Sequence, residues 1–248
     1  MNHLLSHATL GFSAPAVVVG RLRQPVVEQV VSPLLQVDRN EGNMRPVALS
    51  ILLGCSVLSA YQSTGRDDAA KELFNRSNLD GWEIVNGGRF SVEDGVLKID
   101  RGTGWLRSTD TFGDFVLTME FRFLEEGANS GIFVRTGPTS ADDNNGWPNN
   151  GYQVQCMDAL TGVPLAHMIP YGAPPFEHQS DIEALKRAYK PAGEWHTYEI
   201  RAEGERLWIS LNGVLITTAT GVKNLRGHIG IQGELGLLEF RSIKLLEM

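Results

Sequence analysis

Between Lys71 and Met248 the chain alternates apolar and polar residues in short runs, with Gly, Asn and acidic residues between them. A period of two places successive side chains on opposite faces of an extended backbone, so each run reads as a strand with one face turned to a core. In residues 115–123, Met119, Phe121 and Phe123 point one way while Thr118, Glu120 and Arg122 point the other. Residues 131–135 follow a Gly-Ala-Asn-Ser turn, and residues 152–157 alternate again. Residues 198–202 and 206–211 are joined through Glu203-Gly204-Glu205, and Asn212-Gly213 turns the chain into residues 214–218. Residues 90–92 and 96–99 flank Glu93-Asp94-Gly95, while residues 229–232 and 237–246 close the series. So many short strands at close spacing predict an all-β sandwich of two packed antiparallel sheets.

One helix is expected in the long stretch between Met157 and Trp195. Ser180-Asp181-Ile182-Glu183 fits a capping box, and Ile182, Leu185 and Tyr189 share a helical face. Long connections of this kind are often functional.

The N-terminal part is a different text. Residues 1–43 keep no strand or helix period and read as a leader, disordered or over-called upstream of a true start at Met44. Residues 44–60 join a basic residue, Arg45, to a short apolar core, which is the layout of a secretory signal peptide. The core is shorter than the roughly 20 apolar residues of a membrane-spanning helix. Leu52-Leu53-Gly54-Cys55 is similar to a bacterial lipobox, with Cys55 as the lipidated residue, and Leu58-Ser59-Ala60 offers a competing cleavage site. Residues 61–70 have linker composition, and residues 71–248 form the expected domain. The expectation is an exported bacterial protein, periplasmic or anchored by that lipid alone.

With 42% apolar and 21% charged residues the chain is an ordinary globular one, and its net charge of −7 leaves no electrostatic footprint for nucleic acid. Of two cysteines, Cys156 lies on a strand-like run and reads as a small buried hydrophobe. Asp142-Asp143-Asn144-Asn145 lacks the spacing of a calcium loop and reads as a solvated turn. His167, His178, His196 and His228 stand at no metal-ligand spacing, although His167 lies in the long connection and can serve as a base. No phosphate loop, dinucleotide fingerprint or Gly-x-Ser-x-Gly elbow is present, so no organic cofactor is implied.

Chemistry concentrates opposite the hydrophobes of the alternating strands: Glu120 and Arg122, then Arg135, then Gln153 and Gln155, with Gln232 from a late strand. If these strands are neighbours, they present carboxylate, guanidinium and amide groups on one surface, with Asn129 beside it. Trp105, Trp147 and Tyr171 in flanking loops would supply aromatic rings, and planar polar groups beside rings suit a sugar. The same strands also read as a solvated outer face with cross-strand ion pairs.

Several motifs resemble, in order, the 3-keto-disaccharide hydrolase family: Asp80-Gly81-Trp82, Asp94-Gly95-Val96-Leu97, Glu120-Phe121-Arg122 and the run from Asn129 to Arg135. Gly151-Tyr152-Gln153-Val154-Gln155 with Asp158, Tyr189-Lys190-Pro191, Leu211-Asn212-Gly213 and Gly230-Ile231-Gln232 continue the match. The resemblance implies a concanavalin A-like jelly roll, a sugar-binding sheet and hydrolysis of glycosides oxidised at C3. Three positions depart from the family pattern. Gln153 stands where the family usually has Glu, Gly233-Glu234 replace a usual x-His after Gln232, and His196 replaces a common Asn.

A 3-keto sugar needs one base to take the C2 proton and one positive or donor group to hold the enolate oxygen. The expected base is Glu120 or His167, the expected oxyanion partner Arg135 or Arg122. Arg122, Asn129, Trp147, Gln153, Gln155, Asp158, Lys190 and Gln232 are the expected substrate contacts. A divalent ion held by Glu120, Asp158 or His167 is the alternative source of positive charge. A non-catalytic carbohydrate-binding module is the alternative to an enzyme, and Gln153 in place of a carboxylate favours it.

Overall fold

The computed structural model describes residues 70–140 and 146–248. The leader, the signal segment with Cys55, most of the linker and the Asp142–Asn145 turn lie outside the described residues. The chain runs through Lys71–Glu72 (β1), Trp82–Asn86 (β2), Phe90–Glu93 (β3), Val96–Asp100 (β4) and Gly104–Phe112 (β5). Phe115–Phe123 (β6), Asn129–Thr136 (β7), Gly151–Met157 (β8), Met168–Tyr171 (β9) and Glu177–Ser180 (β10) follow. The helix Ile182–Ala188 (α1) precedes His196–Glu203 (β11), Arg206–Leu211 (β12), Val214–Thr220 (β13), Gly227–Gly233 (β14) and Leu237–Glu247 (β15).

These strands form the expected jelly-roll sandwich of two antiparallel sheets. The nine-stranded sheet has the order β10-β13-β12-β11-β6-β15-β4-β3, with β1 also on β15. The six-stranded sheet has the order β2-β5-β14-β7-β8-β9. Local chemistry sets the hairpins. Asn212 and Gly213 have φ of 51° and 79°, the conformation of a two-residue turn whose twist suits antiparallel strands, and Leu211 pairs with Val214 across it.

Burial along β6 alternates strictly, with Phe115, Leu117, Met119, Phe121 and Phe123 all fully buried. They pack between the sheets with Ile132, Val134, Tyr152 and Val154 from β7 and β8. β5 carries no such alternation because Trp105 and Leu106 are both fully buried, one on each face of the sheet. That double burial is why the sequence left Trp105 in a loop. Tyr171, also expected in a loop, ends β9.

The N-cap of α1 is Asp181, whose Oδ1 accepts from the Ala184 N–H at 2.9 Å. Ser180, the expected cap, belongs to β10, where its hydroxyl meets that of Thr217 at 2.7 Å. Among the described residues no helix is long and apolar enough to cross a membrane.

Candidate functional site

The strand order separates the expected site residues. β6 lies in the nine-stranded sheet, whereas β7, β8 and β14 lie side by side in the six-stranded one. Alternation reveals which face of a strand a side chain takes, but not which sheet the strand joins. Glu120 and Arg122 therefore point to the outer face of the nine-stranded sheet, away from the glutamines. Arg241 clamps Glu120 there with two bonds of 3.0 Å, and Arg122 Nη2 lies 2.6 Å from the nearly buried Glu239. Both guanidinium groups pack on the Trp195 ring, that of Arg122 at 4.7 Å and that of Arg241 at 4.4 Å from its centre. This is the cross-strand ion-pair face. The Arg241 hydrogen bonds hold the Glu120 carboxyl below its ordinary range against the opposing effect of burial, which suits a salt bridge and not a base.

Arg135 leaves the glutamines for another reason. Ladder pairing of β7 with β14 shifts between His228 and Gly230, so one extra residue of β7 is accommodated at Arg135, whose φ is 49°. A bulge re-aims a side chain. The fully buried guanidinium reaches Gly113 O at 3.0 Å, Gly204 O at 2.5 Å and Asp114 Oδ1 at 2.8 Å. It ties together turns from both sheets and is not placed to hold an enolate.

His167 meets His178 at the edge of the sandwich, with 3.3 Å between their Nε2 atoms. Asp158 accepts from the Tyr189 hydroxyl at 2.6 Å and the Gly127 N–H at 3.0 Å, and Lys190 Nζ donates to Trp195 O at 2.9 Å. Both residues fasten loops. Glu120, Asp158 and His167 thus do not form one ligand set for a metal, and no three His, Cys, Asp or Glu among the described residues do. His196 is fully buried against Phe121.

What remains together is the outer face of the six-stranded sheet. Gln153 on β8 reaches over Gly131 of β7 and donates from Nε2 to Gln232 Oε1 on β14 at 2.6 Å. Gln155, opposite Gly131 on β8, has an N–H contact with the Met157 sulfur at 3.8 Å. Asn129 donates to Glu234 Oε2 at 2.6 Å. All three glutamines are nearly or fully buried although they point away from the core.

Rings cover them. Trp105 pairs with Gln232 in register and lies over Gly230, where a Cβ would fall 2.6 Å from the indole. Its ring meets Phe133 edge-on at 5.8 Å, Phe133 meets Tyr171 at 5.6 Å, and Tyr171 meets Trp147 at 5.8 Å. Two hydrogen bonds join flanking residues to this face: Trp105 Nε1 donates to Ser140 Oγ at 3.1 Å, and Trp147 Nε1 donates to Gly233 O at 3.3 Å.

Four atoms of this face have no partner among the described residues: Asn129 Oδ1, Gln153 Oε1, Gln155 Oε1 and Gln232 Nε2. Leaving such an atom buried and unpaired costs about 1–3 kcal/mol, so a gathered set calls for a ligand with many hydroxyls or for water in its place. Exchanging oxygen and nitrogen in both amides of the Gln153–Gln232 pair still leaves one free donor and one free acceptor. Glu234 was not among the expected site residues. Its place two positions after Gln232 was a partial signal; it lies just past β14, and the Asn129 hydrogen bond is what sets it on this face. Burial raises the Glu234 carboxyl above its ordinary value, opposed by the Asn129 hydrogen bond.

The sequence matches the 3-keto-alpha-glucoside-1,2-lyase-like domain over residues 69–246. The chain belongs to that family. Membership makes the protein carbohydrate-active, and the motifs that resemble 3-keto-disaccharide hydrolases are those of the matched region. Among solved structures it is similar to two proteins of Parabacteroides distasonis ATCC 8503 whose glycosyl hydrolase names are provisional. One is 23% identical with a TM-score of 0.55, covering 72% of this chain and 99% of that one. The other is 16% identical with a TM-score of 0.53, covering 73% of this chain and 95% of that one. At these identities the likeness is one of fold. No curated protein sequence matches the chain.

Proposed function

We propose that the outer face of the six-stranded sheet binds a glycoside oxidised at C3, and that Glu234 begins its cleavage by taking the proton from C2. The unpaired amide atoms beside a wall of rings carry this reading, because they match the hydroxyls and the apolar face of a pyranose. Conventional glycoside hydrolysis uses two facing carboxylates. Glu234 is the carboxylate hydrogen-bonded within this amide group, and a ketone at C3 lets one carboxylate suffice.

Removal of the C2 proton by Glu234 leaves its electron pair in an enolate with the charge on the C3 oxygen. The free amide N–H of the Gln153–Gln232 pair donates to that oxygen. Collapse of the enolate restores the ketone, forms the C1–C2 double bond and expels the aglycone oxygen, which takes up the proton. Water then adds across the double bond, hydroxyl to C1 and hydrogen to C2. The raised carboxyl of Glu234 makes it a stronger base than an exposed glutamate. Incubating the full chain with a 3-keto glucoside tests the reading. Aglycone release should fall by about 10²–10⁴-fold in Glu234→Gln.

A second reading, a carbohydrate-binding module without turnover, is favoured by Gln153 where the family usually carries a carboxylate. Binding of the 3-keto glucoside without aglycone release would select it. In either reading the protein is taken as exported and anchored through Cys55. Mass spectrometry of the native chain should find a lipidated Cys55 at the N-terminus, and a peptide from residues 1–43 or an unmodified Cys55 would contradict this.

A further inference from the structure

The edge of the sandwich holds a pair of side chains that the sugar site does not use. His167 immediately precedes β9, the last strand of the six-stranded sheet, and His178 lies on β10, the last strand of the nine-stranded one. They are 11 positions apart in the chain, yet their Nε2 atoms approach to 3.3 Å with the rings inclined at 77°. Both line a recess of about 510 Å³ with Thr161, Pro164, Ser180 and Ile182.

Two imidazole nitrogens bound to one tetrahedral ion at about 2.0–2.1 Å stand roughly 3.3–3.4 Å apart. The His167–His178 separation is that distance. Without an ion the pair can share only a single hydrogen bond, and then only if the two rings take opposite tautomers at Nε2. We propose that His167 and His178 are a chelating pair for a zinc-class divalent ion, with water or an external ligand completing its shell through the recess. Because β9 and β10 belong to different sheets, the ion would clamp an edge that no backbone ladder closes. No third His, Cys, Asp or Glu among the described residues joins the pair, so the bound ion keeps open positions.

The test uses the full chain, stripped with a chelator and titrated with Zn²⁺ by calorimetry and with Cu²⁺ by electron paramagnetic resonance. One site is expected whose copper spectrum carries two imidazole nitrogens. His167→Ala and His178→Ala should each weaken that site at least tenfold, while His228→Ala leaves it intact. Zn²⁺ at a hundredfold excess over its Kd should raise the Tm of the parent by about 5 °C. Should a variant fail to fold, the ¹⁵N histidine signals of the unaltered protein decide the matter. Zn²⁺ should move the Nε2 resonances of His167 and His178 together. Binding that survives both substitutions, or Nε2 signals that do not move, would overturn the proposal.

Discussion

Gln153 and Gln232 stand on strands that are not neighbours, and their amides join at 2.6 Å above Gly131 of the strand between them. The contact exists because Gly131 has no side chain. A Cβ there would lie 1.6 Å from Gln153 Nε2, so any substitution displaces that amide before it disturbs the ladder. Gly131→Ala is expected to cost at most about 1–2 kcal/mol of stability, since the flexible glutamine can move aside. It should weaken binding of a 3-keto glucoside by about 10–100-fold, the worth of one or two lost hydrogen bonds. Thermal melting together with titration calorimetry checks both halves. A variant that binds as tightly as the parent would remove the amide pair from the site.

Arg135 is expected to matter for folding. Truncation to Ala removes the donor shared by Gly113 O and Gly204 O and leaves the partly exposed Asp114 carboxylate with the Gly204 N–H, at a cost of about 2–4 kcal/mol. Arg135→Lys should recover little, because one ammonium cannot serve three directions. Thermal denaturation measures the loss. A full Tm with abolished turnover would instead restore Arg135 as a catalytic group.

His196 predicts an acid limit to stability. It is fully buried and stacked on Phe121 at 5.2 Å, and burial, aided by Lys190, pushes its imidazole down to about 4 from an ordinary 6.5. The folded protein therefore binds this proton less readily than the unfolded chain. The contribution is complete above a pH of about 6.5 and is lost as pH falls through the window toward about 4. Tm should drop by about 5 °C between pH of roughly 7 and 4.5, and His196→Asn should flatten that slope. A variant with the parent's slope would assign the loss to other groups.

The architecture was legible because β6, β8, β11 and β12 keep a period of two, and because Asp94-Gly95 marks the turn from β3 to β4 and Asn212-Gly213 that from β12 to β13. β5 was not, whereas β7 and β8, also buried on both faces, kept enough signal to be read as strands. β5 hides Trp105 on one side and Leu106 on the other, which erases the alternation that would have announced it. The site was legible in part for the same physical reason. Gln153, Gln155 and Gln232 stood out as amides opposite core residues, and they do share a face. Glu120 and Arg122 have the same local pattern but belong to the other sheet, a fact carried only by long-range pairing of β6 with β11 and β15. Arg135 was lost to a bulge that depends on the register of β14.

The direct test of the account is turnover of a 3-keto glucoside in D₂O, followed by NMR of the released sugar. Elimination from the six-stranded face predicts aglycone release with deuterium at C2 in the parent and in Glu120→Gln, whose ion pair with Arg241 lies on the opposite side of the fold. Glu234→Gln should lose both signals by about 10²–10⁴-fold. Deuterium incorporation that persists in Glu234→Gln and vanishes in Glu120→Gln would contradict the account and move the chemistry to the nine-stranded sheet.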